Sequence, residues 1–267
     1  MTARLTQSDP AAQVIVFSDL DGTLLDHHSY DHAPAAPTLD RLRRLGIPLI
    51  LASSKTQAEM APLRQALGFA HCPMICENGA GLVGVDQHED AVTDYAGLRA
   101  ALDAIPAPLR QCFEGFGDMD TARISAVTGL SVDQARLAAQ RAFSEPGLWT
   151  GSDAARDAFL SELASRGVSA RSGGRFLTLS FGSNKADHIR TLTARFNRPL
   201  SIAMGDAPND AEMLGAAEYA IVIPNPHGPS VQLPATSMAD VLTAEQPGPA
   251  GWNATLGALL NALGVAE

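Results

Sequence analysis

Lysine and arginine are scarce in this chain, 19 against 29 aspartates and glutamates, for a formal net charge of −10. Nucleic acids and anionic membranes bind clustered cations, so this balance argues against either as a partner. Aromatic residues make up only 5%, while alanine is abundant, which predicts much helix. The three cysteines, Cys72, Cys76 and Cys112, are an odd count and form no disulfide framework. No second Cys or His pair completes a zinc site beside Cys72 and Cys76, so reduced thiols are expected. No apolar run approaches the ~20 residues of a membrane span. The opening MTARLTQSDPAAQ lacks the apolar stretch of a secretory signal, and a cytoplasmic protein is expected. No internal repeat or low-complexity tract is visible.

What is present suits a globular protein: 267 residues, of which 46% are hydrophobic. That length fits one core of about 150 residues with a smaller second domain. QVIVF at 13–17 reads as a strand buried on both faces, ending in SDLDGT. A helical pattern from Pro37 to Leu45 stops at Gly46, a C-cap. IPLILAS at 47–53 is a second buried strand, followed by a helix ending at Gly68. PMICENGAGLVGV then supplies a third strand and a Gly-rich connection. This alternation predicts a doubly wound, parallel α/β sheet.

Beyond about residue 84 the texture changes. Helices over 94–105, 118–127, 133–143 and 153–165 alternate with short strands at 147–149, 168–171 and 175–181. PAP, GFGD, TGLS, EPG and SGG mark turns between them. From Asn184 the first rhythm resumes: helix KADHIRTLTARF, strand LSIAM, loop GDAPND, strand YAIVI and a final helix GWNATLGALLNALG. PNPHGP and EQPGPAG read as surface loops. The expected plan is a core of residues 1–83 and 183–267 carrying an inserted α+β domain at 84–182.

Four positions carry chemistry. Asp19 and Asp21 in DLDGT follow a buried strand, where ligands collect in open α/β sheets. Two carboxylates on a tight Gly turn can face one crevice, one attacking phosphorus and the other passing a proton to the leaving oxygen. A calcium loop is the competing reading, but it needs a helix before Asp19, not an apolar strand. Ser53, ending the strand ILASS, can hold an anion with its hydroxyl, and Ser54 can add a backbone amide. An ordinary helix cap is the alternative. Lys185 opens the helix after the insertion and could neutralise phosphate. Asp206 and Asp210 in GDAPND offer hard oxygen ligands suited to Mg²⁺, and Asp210 or Asn209 could instead orient Lys185.

Together these motifs resemble the haloacid dehalogenase superfamily of phosphohydrolases. Their order is Asp-x-Asp, a strand-end Ser/Thr, a Lys and Gly-Asp-x-x-x-Asp, over residues 13–82 and 184–223. The resemblance implies that Asp19 is the nucleophile and Asp21 the general acid/base. It implies that Ser53 and Lys185 bind the transferring phosphoryl group. Asp19, Asp21 (by its backbone carbonyl), Asp206 and Asp210 then serve the metal.

The placement of the insertion resembles the group with a large α/β cap that selects substrate. Within it, ENGAGL (77–82), GFGDM (115–119), TGLS (128–131) and SGGRF (172–176) are similar to the mannosyl-3-phosphoglycerate phosphatases. SNKAD departs from the usual Asp-Lys-Gly run around the lysine. A phosphate- and carboxylate-bearing glycerate joined to a sugar is the implied substrate. Arg175 fits its carboxylate, and Glu77 and Asn78 could reach sugar hydroxyls or brace the cap. Asp118 and Thr121 read as helix caps before they read as ligands, and His188 as a helix-face residue. Cap closure over Asp19, hinged near Gly84 and Gly182, is expected. The rivals are a broader sugar-phosphate phosphatase and a catalytically silent phospholigand-binding module.

Overall fold

The computed structural model describes residues 10–85, 95–198 and 200–265. In chain order its strands are β1 (Val14–Ser18), β2 (Leu49–Ala52), β3 (Met74–Cys76), β4 (Gly81–Val83) and β5 (Phe113–Gly115). These are followed by β6 (Ser144–Trp149), β7 (Ser169–Gly173), β8 (Phe176–Ser180), β9 (Leu200–Gly205), β10 (Tyr219–Val222) and β11 (Asp240–Thr243). The first helices are α1 (Ala36–Arg44), α2 (Gln57–Ala66), α3 (Tyr95–Asp103), α4 (Ala107–Arg110) and α5 (Thr121–Thr128). The rest are α6 (Val132–Ala138), α7 (Asp153–Ser165), α8 (Lys185–Phe196), α9 (Ala211–Gly215) and α10 (Gly248–Ala262).

Two compact units form: Met1–Ser53, Arg64–Ile75 and Lys185–Glu267 make the first, Ser54–Leu63 and Cys76–Asn184 the second. In the first unit, six strands lie side by side in the order β11-β10-β9-β1-β2-β3, all parallel. β1, in the middle, is buried at every residue, as its unbroken apolar run requires of a strand covered on both faces. β11 was invisible in the sequence because it is an edge strand whose residues are mostly exposed. It carries no apolar run to read.

The second unit holds an antiparallel sheet in the order β5-β6-β8-β7. Leu177 and Leu179 of β8 join Phe113, Leu98, Phe159 and Leu163 in its core, with the Phe113 and Phe159 rings 5.6 Å apart. Strand alternation turns Phe176 to the opposite face. There it meets Phe116 edge to face at 5.5 Å in a smaller cluster with Ile124 and Ala135. The EPG run, expected as a turn, lies inside β6. Pro146 is tolerated there because pairing with β5 ends at Gly147, so no ladder donor is missing on that side.

Several smaller expectations shift for local reasons. α5 is capped by Asp120, which accepts from the Arg123 N–H, not by Asp118 or Thr121. Asp118 does act as a cap, but of the short turn Phe116–Asp118, where it accepts from the Gly115 N–H at 3.0 Å, and it also pairs with Arg99 at 2.5 Å and Arg110 at 2.8 Å. Arg99 also reaches the fully buried Glu145 at 2.8 Å, which accepts from the Tyr95 hydroxyl and the Gly117 N–H. A Cβ on Gly115 would lie 2.0 Å from the Glu145 carboxylate, so the GFGDM run is shaped around this buried ion cluster. The expected helix start at Asp94 lies outside the described residues. Gly84 and Gly182 both adopt positive φ, 85° and 96°, which a side chain would strain. Cys72, Cys76 and Cys112 are not joined by disulfides. Among the described residues, no helix is long and apolar enough to cross a membrane.

Candidate active site

Parallel register sets the site. Ser18 of β1 pairs with Met204 of β9 and with Leu51 of β2. One step beyond Ser18 is Asp19, one beyond Met204 is Gly205 and then Asp206, and two beyond Leu51 is Ser53. Three functional side chains therefore leave neighbouring carboxyl ends of one sheet, the end where α/β sheets bind ligands. Asp19 is tied down by its N–H donating to the Met204 carbonyl at 2.9 Å. Behind it, buried Trp252 of α10 donates to the Ser18 hydroxyl at 3.0 Å, and that hydroxyl donates to the Asp19 carbonyl at 2.7 Å.

Lys185, the first residue of α8, donates to Asp19 Oδ1 at 2.8 Å and to Asp210 Oδ1 at 2.7 Å. Its side chain is only 2% exposed. Asp210 Oδ2 accepts from the Asp206 and Ala207 N–H groups, both at 3.3 Å. Both oxygens of Asp210 are thus engaged within the protein, and it anchors Lys185 and the loop. Asp206 accepts from the Thr23 hydroxyl at 3.0 Å and from the Asn225 amide at 2.7 Å.

Two glycines make room. A Cβ on Gly22 would sit 2.6 Å from the Asp206 carboxylate, at a φ of +83°, and one on Gly205 would sit 2.5 Å from the Asp210 Cβ. Asn225 was read as part of a surface loop. The run is a largely exposed loop, as read, but its Asn225 amide turns inward onto Asp206.

The electrostatics are unbalanced. Carboxylate oxygens of buried Asp19, Asp206 and Asp210 lie within 4.8 Å of one another, and one ammonium answers three negative charges. Burial, with Asp210 reinforcing it, pushes Asp19 well above the usual carboxylate range against the pull of Lys185. Burial and Asp210 likewise raise Asp206, opposed by Thr23 and Asn225. Burial alone would lower Lys185, but its two carboxylates outweigh it and hold the ammonium charged. Excess buried negative charge on hard oxygen donors is the condition a small divalent cation relieves, so these residues fit Mg²⁺. With Mg²⁺ at saturation, the thermal midpoint should rise by an amount corresponding to on the order of 3 kcal/mol. Asp206→Asn should abolish most of that rise in a melting experiment.

Asp21 lies at the turn, bridged to Leu25. Ser53 is buried and its N–H donates to the Ile75 carbonyl at 3.0 Å. Ser54, Glu77, Asn78 and Arg175 belong to the second unit. There Arg175 is exposed, donates to the Val127 carbonyl at 2.7 Å and stands over the Phe176 ring. Asn78 sits at a φ of 59°.

Glu77 is fully buried, and its carboxylate accepts from the N–H groups of Ala142, Phe143 and Ser144 and from the Ser144 hydroxyl. Arg141 adds an ion pair at 3.2 Å. Of its two expected roles, bracing the second unit is the one its partners fill. The same contacts hold 142–144 out of helix, so α6 stops at Ala138 well before Phe143. Glu77→Ala should cost about 3–5 kcal/mol in urea unfolding, because it removes the carboxylate partner of the buried Arg141 side chain and strands three amides.

These features define a site for hard-cation and anion chemistry on a doubly wound sheet. Residues 16–104 match the family model of haloacid dehalogenase-like hydrolases. Among solved structures the chain is similar to a phosphatase of the haloalkanoate superfamily from Bacteroides thetaiotaomicron. The TM-score is 0.62 at 16% identity, covering 99% of this chain and 100% of that one. It is also similar to the sucrose-phosphatase of Synechocystis sp., solved with sucrose and phosphate (TM-score 0.60, 16% identity, 94% of this chain and 98% of that one). A Thermotoga maritima protein matches at TM-score 0.63 and 16% identity, covering 94% and 97%.

Proposed function

We propose that the chain is a magnesium-dependent phosphatase that hydrolyses mannosyl-3-phosphoglycerate to mannosylglycerate and phosphate. The observation that carries the phosphatase reading is Lys185, held between Asp19 and Asp210 beside Asp206 at the sheet tips. Asp19 attacks phosphorus, forming an Asp19–phosphate bond as the ester oxygen departs with a proton from Asp21. Asp21 then takes a proton from water as that water attacks the acyl phosphate, which releases phosphate and regenerates Asp19. Ser53, the Ser54 amide and Lys185 hold the phosphoryl oxygens. Asp19, the Asp21 carbonyl and Asp206 would hold Mg²⁺, with Asp210 steadying the loop. Bound there, the cation offsets the repulsion between carboxylate and phosphate.

Substrate choice is assigned to the inserted domain, with Arg175 and Asn78 as the candidate ligands for the glycerate and sugar. The motifs ENGAGL, GFGDM and SGGRF support the mannosyl-3-phosphoglycerate assignment. The sucrose-phosphatase likeness supports the broader sugar-phosphate class. The acidic chain suits a small cytoplasmic phosphoester better than nucleic acid. Phosphate release with magnesium over mannosyl- and glucosyl-3-phosphoglycerate and simple hexose phosphates tests this. The mannosyl ester should give the highest kcat/KM. Higher values on hexose phosphates would move the assignment to the broader class. Binding without release from any of them would favour a phospholigand-binding module.

A further inference from the structure

A cluster of imidazoles stands beside the carboxylate site and takes no part in the mechanism above. His27 and His28 lie on the loop after β1, and His227 lies on the loop after β10. Their ring centres form a near-equilateral triangle with sides of 5.1, 5.4 and 5.0 Å. All three are exposed, and they line one pocket with Gly22, Asp206 and Asn225.

The triangle has a chemical meaning. A tetrahedral zinc-type cation binds imidazole nitrogen at about 2.1 Å, and the ring centre lies about 1.1 Å further out. Two such rings at the tetrahedral angle have centres about 5.2 Å apart. The observed triangle has that size. The rings of His27 and His227 now stack at 21°, with His28 set across them at 81° and 71°. Turning an exposed imidazole about its Cβ–Cγ bond re-aims its nitrogens while leaving the ring centre nearly in place. The turn that carries His27 and His28 is tied down by Asp26 Oδ1, which accepts from the His28 and Ser29 N–H groups at 3.0 and 2.8 Å.

We propose that His27, His28 and His227 form a binding site for a late first-row divalent cation, with zinc as the type, distinct from the carboxylate site. Ligand softness separates the two: imidazoles select zinc, nickel or copper, whereas the aspartates select magnesium. The sites are also linked. The His227 N–H donates to Asn225 Oδ1 at 2.9 Å, and the Asn225 amide donates to Asp206 at 2.7 Å. A cation held by the His227 ring therefore fixes the backbone N–H that sets Asn225 against Asp206, and zinc lowers magnesium-supported turnover.

The test uses Co²⁺ as a visible stand-in for zinc, titrated into the metal-stripped full chain with Mg²⁺ in large excess to hold the carboxylates. Wild type should develop the intense d–d bands of tetrahedral Co²⁺, and added Zn²⁺ should bleach them. His27→Gln and His227→Gln should each weaken binding by about 100-fold or more, since loss even of outer-shell partners costs 10–100-fold. Both should keep the Mg²⁺-only phosphatase rate and escape zinc inhibition. His71→Gln, remote in sequence from the triangle, should behave as wild type. Absence of tetrahedral bands in wild type, or bands that survive unchanged in both variants, would overturn the proposal.

Discussion

Asp19→Asn should lower phosphate release by ~10⁴-fold or more while leaving the chain folded. The substitution removes the atom that bonds phosphorus but keeps an isosteric side chain at the tip of β1. It should also leave metal-free stability no lower than wild type, which a purely structural aspartate would not allow. Asp19 sits in a site with more carboxylates than cations, and burial with Asp210 raises its pKa. A group whose folded pKa lies above its unfolded value favours folding fully only below about pH 4, and that contribution is lost as pH rises through the folded value. Ionising the buried Asp19 as pH rises therefore weighs against the fold, and asparagine relieves it. Thermal melts without Mg²⁺, beside a turnover assay, check both halves. Turnover near wild type would exclude Asp19 as nucleophile.

Lys185→Met should be the opposite case, losing activity and stability together. Its ammonium is the one cation contacting Asp19 and Asp210 among the described residues. Removing one partner of a buried ion pair costs about 3–5 kcal/mol. The loss should depend on pH with a definite sign. Without the ammonium that pulls Asp19 down, the folded pKa of Asp19 rises further, so the variant is least impaired in acid and worsens toward neutrality. Mg²⁺ should restore part of the stability, because it supplies positive charge to the same oxygens. Urea unfolding at several pH values, with and without Mg²⁺, measures this. A stability gap from wild type that stayed constant across pH would contradict the charge account.

Much of this site was legible because its chemistry is local. Asp19, Ser53 and Asp206 each follow an apolar run that reads as a buried strand, and parallel pairing then aligns their tips. Lys185 was legible from its place at the head of a helix. Residues that serve the site from a distance were not. Asn225 lies in a Pro-rich run that reads as loop, and only the fold shows its amide on Asp206. Trp252 looks like a core residue, and its bond to Ser18 depends on where α10 lands.

Glu77 was read mainly through its strand-tip position, yet its oxygens go to a turn some 65 residues away. That pairing also explains why the apolar pattern past Ala138 fails to continue as helix. β11 and the strand through Pro146 escaped for related reasons. An exposed edge needs no apolar alternation, and a proline is harmless where no partner needs its N–H. Local pattern reports what a segment prefers, while these positions depend on what lies opposite.

The central claim is covalent: phosphate passes through the Asp19 carboxylate. Acid-quenching a single turnover, reducing with borohydride and sequencing the peptides by mass spectrometry tests it most directly. An acyl phosphate at Asp19 is reduced to homoserine, so homoserine should appear at position 19 only when substrate and Mg²⁺ are both present. Full phosphate release with position 19 remaining aspartate at every quench time, or with homoserine forming at Asp21, Asp206 or Asp210 instead, would contradict it.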